Sequence, residues 1–167
     1  MSLFPPQIEG LASRIVNDFT LRNITIATAE SCTGGLIAAA LTEISGSSAV
    51  VDRGLVTYSN HAKVEMLGVD EKVLETFGAV SRETALQMAA GALRRSGADL
   101  AVAVTGVAGP TGGTAEKPVG LVHIAARRRD GRVIHREMRY GDLGRSGIRL
   151  ATVRTALEML LEAAQAE

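Results

Sequence analysis

A serine hydroxyl is too weak an acid to attack a carbonyl unaided. A serine that does chemistry needs a base in hydrogen-bond reach and N–H donors for the oxyanion. The stretch Ile24-Thr-Ile-Ala-Thr-Ala-Glu-Ser-Cys-Thr-Gly-Gly35 offers such a serine, because β-branched residues run into Ser31, a glycine pair and a helix-forming tract. It reads as strand, tight turn and helix, which lifts Ser31 to the sheet edge beside the first free N–H groups of that helix. The same residue types suit a simpler role, with Ser31 or Thr33 as the N-cap of a helix beginning near Gly34.

No histidine stands at the end of a predicted strand near Ser31, so lysine is the base to look for. A Ser-Lys pair works when burial or a neighbouring cation disfavours the ammonium and leaves a neutral amine near neutral pH. Gly54-Leu-Val-Thr-Tyr-Ser59 predicts a second strand and Asn60 caps a short helix through Lys63, Val64 and Leu67, closed by Gly68. Lys63 then shares a sheet edge with Ser31, and Tyr58 can hydrogen-bond either partner. Taken singly, Lys63 also reads as a solvated helix lysine and Tyr58 as a half-buried strand residue. The spacing Tyr-x4-Lys misses the Tyr-x3-Lys of short-chain dehydrogenases, and no G-x-G-x-x-G follows the first strand, so hydride transfer is rejected. Cys32 is the competing nucleophile, but a thiolate wants a histidine partner, and adjacent side chains leaving a strand diverge. Cys32 is expected to pack beneath the turn.

The elements that position these groups follow from periodicity. Pro5-Pro6 leads into Ile8, Leu11, Ile15 and Phe19, the stripe of an amphipathic helix over about 5–22. Leu36, Ile37, Ala40, Leu41 and Ile44 form the buried face of the helix after Ser31, which ends at Ser45-Gly-Ser-Ser48. Asp70 caps a helix to about Phe77, and Ser81 starts a longer one to Gly97. Leu100-Ala-Val-Ala-Val-Thr105 is a strand buried on both faces, opening into Gly106-Val-Ala-Gly-Pro-Thr-Gly-Gly113. Glycines there let main-chain N–H groups approach a phosphate or amide oxygen, and the loop continues to about Val119. Gly120–Arg127 and Val133–Tyr140 flank the hairpin signal Asp130-Gly131, and a C-terminal helix from about Ser146 buries Ile148, Leu150, Val153, Leu157, Leu160 and Leu161. Its N-terminal part carries Arg145, Arg149 and Arg154. The expectation is one domain over 1–167, a three-layer α/β/α sandwich around a mixed, mainly parallel sheet with its ligands at the strand C-terminal ends.

Composition narrows the function classes. Eighteen basic residues balance 18 acidic ones and aromatics are 3%, which speaks against nucleic acid or an anionic membrane as partner. The lone Cys32, the lack of a signal peptide and the lack of a long apolar run predict a cytoplasmic protein in which the Asn23-Ile-Thr25 sequon is idle. His61, His123 and His135 make no ligand spacing, so no metal is expected.

Six segments together resemble one family. They are Ala29-Glu-Ser-Cys-Thr-Gly-Gly35, Gly46-Ser-Ser48, Arg53-Gly-Leu-Val-Thr-Tyr-Ser-Asn60 with Lys63, Gly78-Ala-Val-Ser81, Thr105-Gly-Val-Ala-Gly-Pro-Thr-Gly-Gly113 and Lys117-Pro-Val-Gly120. The family is the C-terminal domain of the competence-damage-inducible protein CinA, with its stand-alone PncC-type amidohydrolases. The resemblance implies hydrolysis of the carboxamide of nicotinamide mononucleotide to nicotinic acid mononucleotide and ammonia, with no cofactor. It also implies Ser31 as nucleophile, Lys63 as base and Tyr58 as helper. Cys32, Thr33, Gly34, Gly35, Thr105, Gly106, Ala108 and Gly109 would hold the carboxamide and the mononucleotide. Arg145 resembles an arginine that follows the family's Gly-Asp pair, although here Leu143-Gly144 separates it from Gly141-Asp142. The partner is thus a small pyridine nucleotide, and a homo-oligomer is the expected assembly. Larger relatives carry an N-terminal molybdopterin-binding-like domain, whose activity is expected to be absent. The rival expectation is a non-catalytic nucleotide-binding or regulatory module in which Ser31 is only a cap.

Overall fold

The computed structural model describes residues 1–165. In chain order it contains α1 (Pro6–Arg22), β1 (Ile26–Glu30), α2 (Leu36–Thr42), a single 3-10 turn (Ser47–Ala49) and β2 (Val51–Val56). Then come α3 (Asn60–Leu67), α4 (Glu71–Phe77), α5 (Arg82–Arg94), β3 (Leu100–Gly106), β4 (Leu121–Arg128), β5 (Val133–Arg139) and α6 (Gly144–Ala163). The strands form one sheet in the order β2-β1-β3-β4-β5. β2, β1 and β3 pair in parallel, while β4 is antiparallel to β3 and to β5. The expected mixed α/β sheet is therefore present, its parallel part confined to the three strands whose C-terminal ends meet.

Strand alternation explains the layers. In β3, Leu100, Val102 and Val104 face one way and Ala101 and Ala103 the other. The branched face packs against α1, α2 and α6 through Ile15, Phe19, Ile37, Leu41, Ile148 and Leu157. The alanine face, joined by Ala27, Ala29 and Ala125, receives α5 and the end of α3 through Met88, Ala89, Ala92 and Leu67. Small side chains on both surfaces let α5 lie close to the sheet. At Gly91 the approach between helices is closer still, since a Cβ there would stand 2.0 Å from the Leu67 carbonyl oxygen.

Some boundaries differ from the periodicity. β2 runs from Val51 to Val56 and not from Gly54 to Ser59, because its register follows β1, which ends at the pair Glu30↔Val56. Asp52 and Arg53 are exposed on this edge strand, so its first half has a loop-like composition. The cap of α3 is Ser59, whose Oγ accepts from the Ala62 N–H at 3.0 Å; Asn60 is the first helical residue. α5 ends at Arg94, three residues before Gly97. His123 and His135, apart in sequence, meet across the β4–β5 hairpin with Nδ1 and Nε2 3.0 Å apart, and burial lowers the pKa of both. Among the described residues no helix is long and apolar enough to cross a membrane.

Candidate active site

Ser31 follows β1 directly, and its N–H donates to the Val104 carbonyl at 3.0 Å, which fixes the chain as it leaves the sheet. Lys63 lies on the first turns of α3, on the same face as Leu67 one turn on, and that face is buried in the sheet layer. Its ammonium is therefore pulled to the bottom of the cleft, with 1% of the residue exposed. There Lys63 Nζ lies 2.9 Å from Ser31 Oγ, 2.8 Å from the Thr57 carbonyl and 3.2 Å from the Tyr58 carbonyl. These contacts suit both protonation states. The ammonium donates to all three oxygens; the neutral amine donates to the two carbonyls and turns its lone pair to the Ser31 hydroxyl.

Burial selects the second state within reach of neutral pH. Removal from water lowers the Lys63 pKa from 10.5 to about 8, against a small opposing pull from the Cys32 thiol. The pKa is depressed in the fold, so between about pH 8 and 10.5 the unfolded chain holds a proton that the folded chain has lost. The Lys63 contribution to stability is thus least below pH 8 and rises with pH across that window. Urea unfolding of the wild type and of Lys63→Met, at about pH 7 and about pH 10, should show the difference moving in favour of the wild type at the higher pH. An unchanged difference would contradict a depressed pKa.

The cleft around the pair holds about 290 Å³ and is lined by Ser31, Cys32, Tyr58, Lys63, Ala79, Val80, Arg145 and the loop residues Thr105–Gly109, Thr111 and Gly112. Larger hollows exist elsewhere, but they hold no nucleophile beside a base. Thr105 points its hydroxyl at the Ala79 carbonyl at 2.8 Å, which ties the glycine loop to the α4–α5 link. Arg145 is inside the cleft despite the inserted Leu143-Gly144, donating to the Gly109 carbonyl at 2.8 Å and to the Tyr58 hydroxyl at 2.9 Å.

Several expected roles change. The Tyr58 side chain is 57% exposed and its hydroxyl bonds Arg145, so it is Tyr58's carbonyl, not its phenol, that reaches Lys63. Neither Ser31 nor Thr33 caps α2. The helix begins at Leu36 behind Gly35, which has φ +103, and its free Ile37 and Ala38 N–H groups are taken by the Glu30 carboxylate at 2.8 and 3.1 Å. Those donors therefore do not face Ser31 as an oxyanion hole. Thr33, Gly34 and Gly35 do not line the cleft. The Thr33 hydroxyl is turned inward to Glu30 at 2.6 Å, and the Thr33 carbonyl is held by Arg149 at 3.0 Å. Among the described residues the Cys32 N–H, on the cleft wall, donates to no backbone carbonyl, so the turn keeps one donor in hand.

Cys32 packs beneath the turn as expected, 5% exposed within the main core. Burial, reinforced by the Glu30 charge, pushes its pKa to about 12, so thiolate is scarce at neutral pH. Cys32→Ala should keep at least about half of any activity of the site, with a stability loss of about 1 kcal/mol. Loss of the rate in a folded Cys32→Ala protein would transfer the nucleophile to sulfur. Glu30 and Arg149 were missed as site residues. Arg149 carried a signal, since cations at a helix N-terminus oppose its dipole and need another reason to be there.

With this geometry in view, the relatives are informative. The model of the CinA C-terminal domain matches residues 8–164. A nicotinamide-nucleotide amidohydrolase PncC of Enterobacter agglomerans is 54% identical over 134 residues, 80% of each chain. A putative competence-damage inducible protein of Acetivibrio thermocellus is 50% identical over 92% of this chain, which spans only 36% of that longer relative. The crystal structure of a competence/damage inducible protein, CihA, from Agrobacterium tumefaciens superposes with a TM-score of 0.98 at 70% identity, covering 99% of this chain and all of that one. A Klebsiella pneumoniae competence damage-inducible protein A (ComA) follows with TM-score 0.89 at 35% identity over 95% of this chain and 99% of that one. Over residues 8–164, which include the turn of Ser31 and the arginines of α6, the chain belongs to the CinA C-terminal domain family.

Proposed function

We propose that residues 1–167 act as one amidohydrolase domain that cleaves the carboxamide of nicotinamide mononucleotide through a seryl ester. The observation that carries this reading is the 2.9 Å contact between Ser31 Oγ and a buried lysine amine whose pKa is drawn down to about 8. The name of the Enterobacter relative supports the substrate. Ser31 Oγ attacks the carboxamide carbon while Lys63 Nζ takes its proton. The Cys32 N–H, on the cleft wall, stabilises the oxyanion, and the Lys63 ammonium returns the proton to the leaving nitrogen as ammonia departs. Water, deprotonated by Lys63, then cleaves the ester and frees Ser31 and the carboxylate product. Arg145 and the glycine loop at Gly109–Gly112 receive the phosphate end of the nucleotide. Tyr58 assists by holding Arg145 and, through its carbonyl, Lys63.

The test is ammonia release from nicotinamide mononucleotide by the purified chain. The rate should rise with pH through about 8, following the amine. Acid quenching under turnover should leave the nicotinoyl mononucleotide ester on the peptide containing Ser31. A folded protein that binds the mononucleotide and releases no ammonia would instead be a nucleotide-binding module.

A further inference from the structure

Two charged side chains outside the Ser31–Lys63 pair converge on the turn that carries Ser31. Glu30, 1% exposed, faces away from the cleft. Its Oε1 accepts from the Thr33 hydroxyl at 2.6 Å and the Ile37 N–H at 2.8 Å, and its Oε2 accepts from the Ala38 N–H at 3.1 Å. Arg149 of α6 also meets the turn. Its Nε donates to the Cys32 carbonyl at 3.1 Å and its Nη2 to the Thr33 carbonyl at 3.0 Å. Beyond the two helix N–H groups and a 3.5 Å contact from the Thr28 hydroxyl, the carboxylate takes the Thr33 hydroxyl in the turn itself, and Arg149 takes both carbonyls of that turn. The main chain of Glu30 adds a link, since its carbonyl accepts the Thr57 N–H at 2.9 Å and the Thr57 carbonyl accepts Lys63 Nζ at 2.8 Å. One residue thus meets the turn of the hydroxyl through its side chain and the support of the amine through its backbone.

We propose that Glu30 and Arg149 are positioning residues that clamp the Cys32–Thr33 turn and so hold Ser31 Oγ at bonding distance from Lys63. The proposal rests on the reading of Ser31 as nucleophile. Loss of either clamp lets the hydroxyl wander by fractions of an ångström to an ångström, and misplacement on that scale costs about 10–100-fold in rate. Substrate contacts are made elsewhere, at Arg145 and the glycine loop, so binding is left almost unchanged.

The experiment uses the full chain as wild type, Glu30→Gln, Arg149→Met and the double variant. Two rates are compared: turnover of nicotinamide mononucleotide, and phosphonylation of Ser31 by a fluorophosphonate followed by mass spectrometry, which needs no nucleotide. Both kcat and the labelling rate should fall about 10–100-fold in each single variant, with KM within about threefold. The double variant should lose less than the product of the two, since both act through one turn. If Glu30→Gln fails to fold, Thr33→Val removes the hydroxyl contact without baring the helix, and Arg149→Met stands beside it. Folded variants that label at the wild-type rate, or that lose only KM, overturn the clamp. Wild-type protein that labels at Ser31 but releases no ammonia overturns the substrate reading and leaves the clamp to be judged by labelling alone. Wild-type protein that does neither removes both.

Discussion

Ser31→Ala is expected to lower turnover of nicotinamide mononucleotide by more than about a thousandfold while leaving the fold and most of the nucleotide affinity in place. The substitution deletes one oxygen whose only side-chain partner among the described residues is Lys63, and the Ser31 N–H keeps its bond to Val104. No structural group loses its support, because Lys63 Nζ retains the Thr57 and Tyr58 carbonyls. The residual rate would come from the N–H donor and from positioning alone. Steady-state kinetics beside calorimetric titration of the nucleotide provides the check. A variant that retained a tenth of the rate would exclude an ester on Ser31.

The second large effect is at Lys63. Lys63→Arg should be nearly as damaging as Lys63→Ala, each by more than about a thousandfold in kcat. A guanidinium keeps its proton across the accessible pH range and offers no lone pair to the serine hydroxyl. Arginine would preserve charge and much of the hydrogen bonding, so the comparison separates a base from a mere cation. It is also bulkier than lysine at a residue that is 1% exposed, which makes a control necessary. Lys63→Met keeps the stem's volume without charge, and its melting temperature and nucleotide affinity show whether lost rate reflects lost fold. Recovery of a tenth of the wild-type kcat by arginine would assign Lys63 an electrostatic role in place of proton transfer.

The groups that meet in the cleft were legible because their types are unusual where they stand. A serine before a glycine pair at a strand end, a lysine in the first turns of the next crossover helix and a glycine run after a buried strand all point to one edge of a parallel sheet. β3 was legible to the residue at its start, since Leu-Ala-Val-Ala-Val fits a strand packed on both faces. The supports were harder to see. Glu30 looks like any acidic residue closing a strand, and its role exists only because α2 folds back over β1 and offers two N–H groups. Tyr58 does line the cleft but with its carbonyl, not its phenol, turned to Lys63, because β2 stops at Val56, three residues before the expected end at Ser59. The histidines of the hairpin were read as isolated, since nothing in their spacing reveals which cross-strand diagonal brings them together.

The contact between Gly91 and the Leu67 carbonyl bears on acidity as well as on packing. Lys63 and Leu67 occupy successive turns of the same face of α3, so the distance of that helix from α5 sets how far the amine sinks below water. With a hydrogen at position 91 the helices nearly touch, and the amine is dry enough to shed its proton near pH 8. Any side chain there would wedge α3 outward, admit solvent along the lysine stem and return the amine towards the basicity of a free lysine. Basicity at the dyad is in this sense a mechanical property, set by how close two helical backbones come at a residue with no functional group.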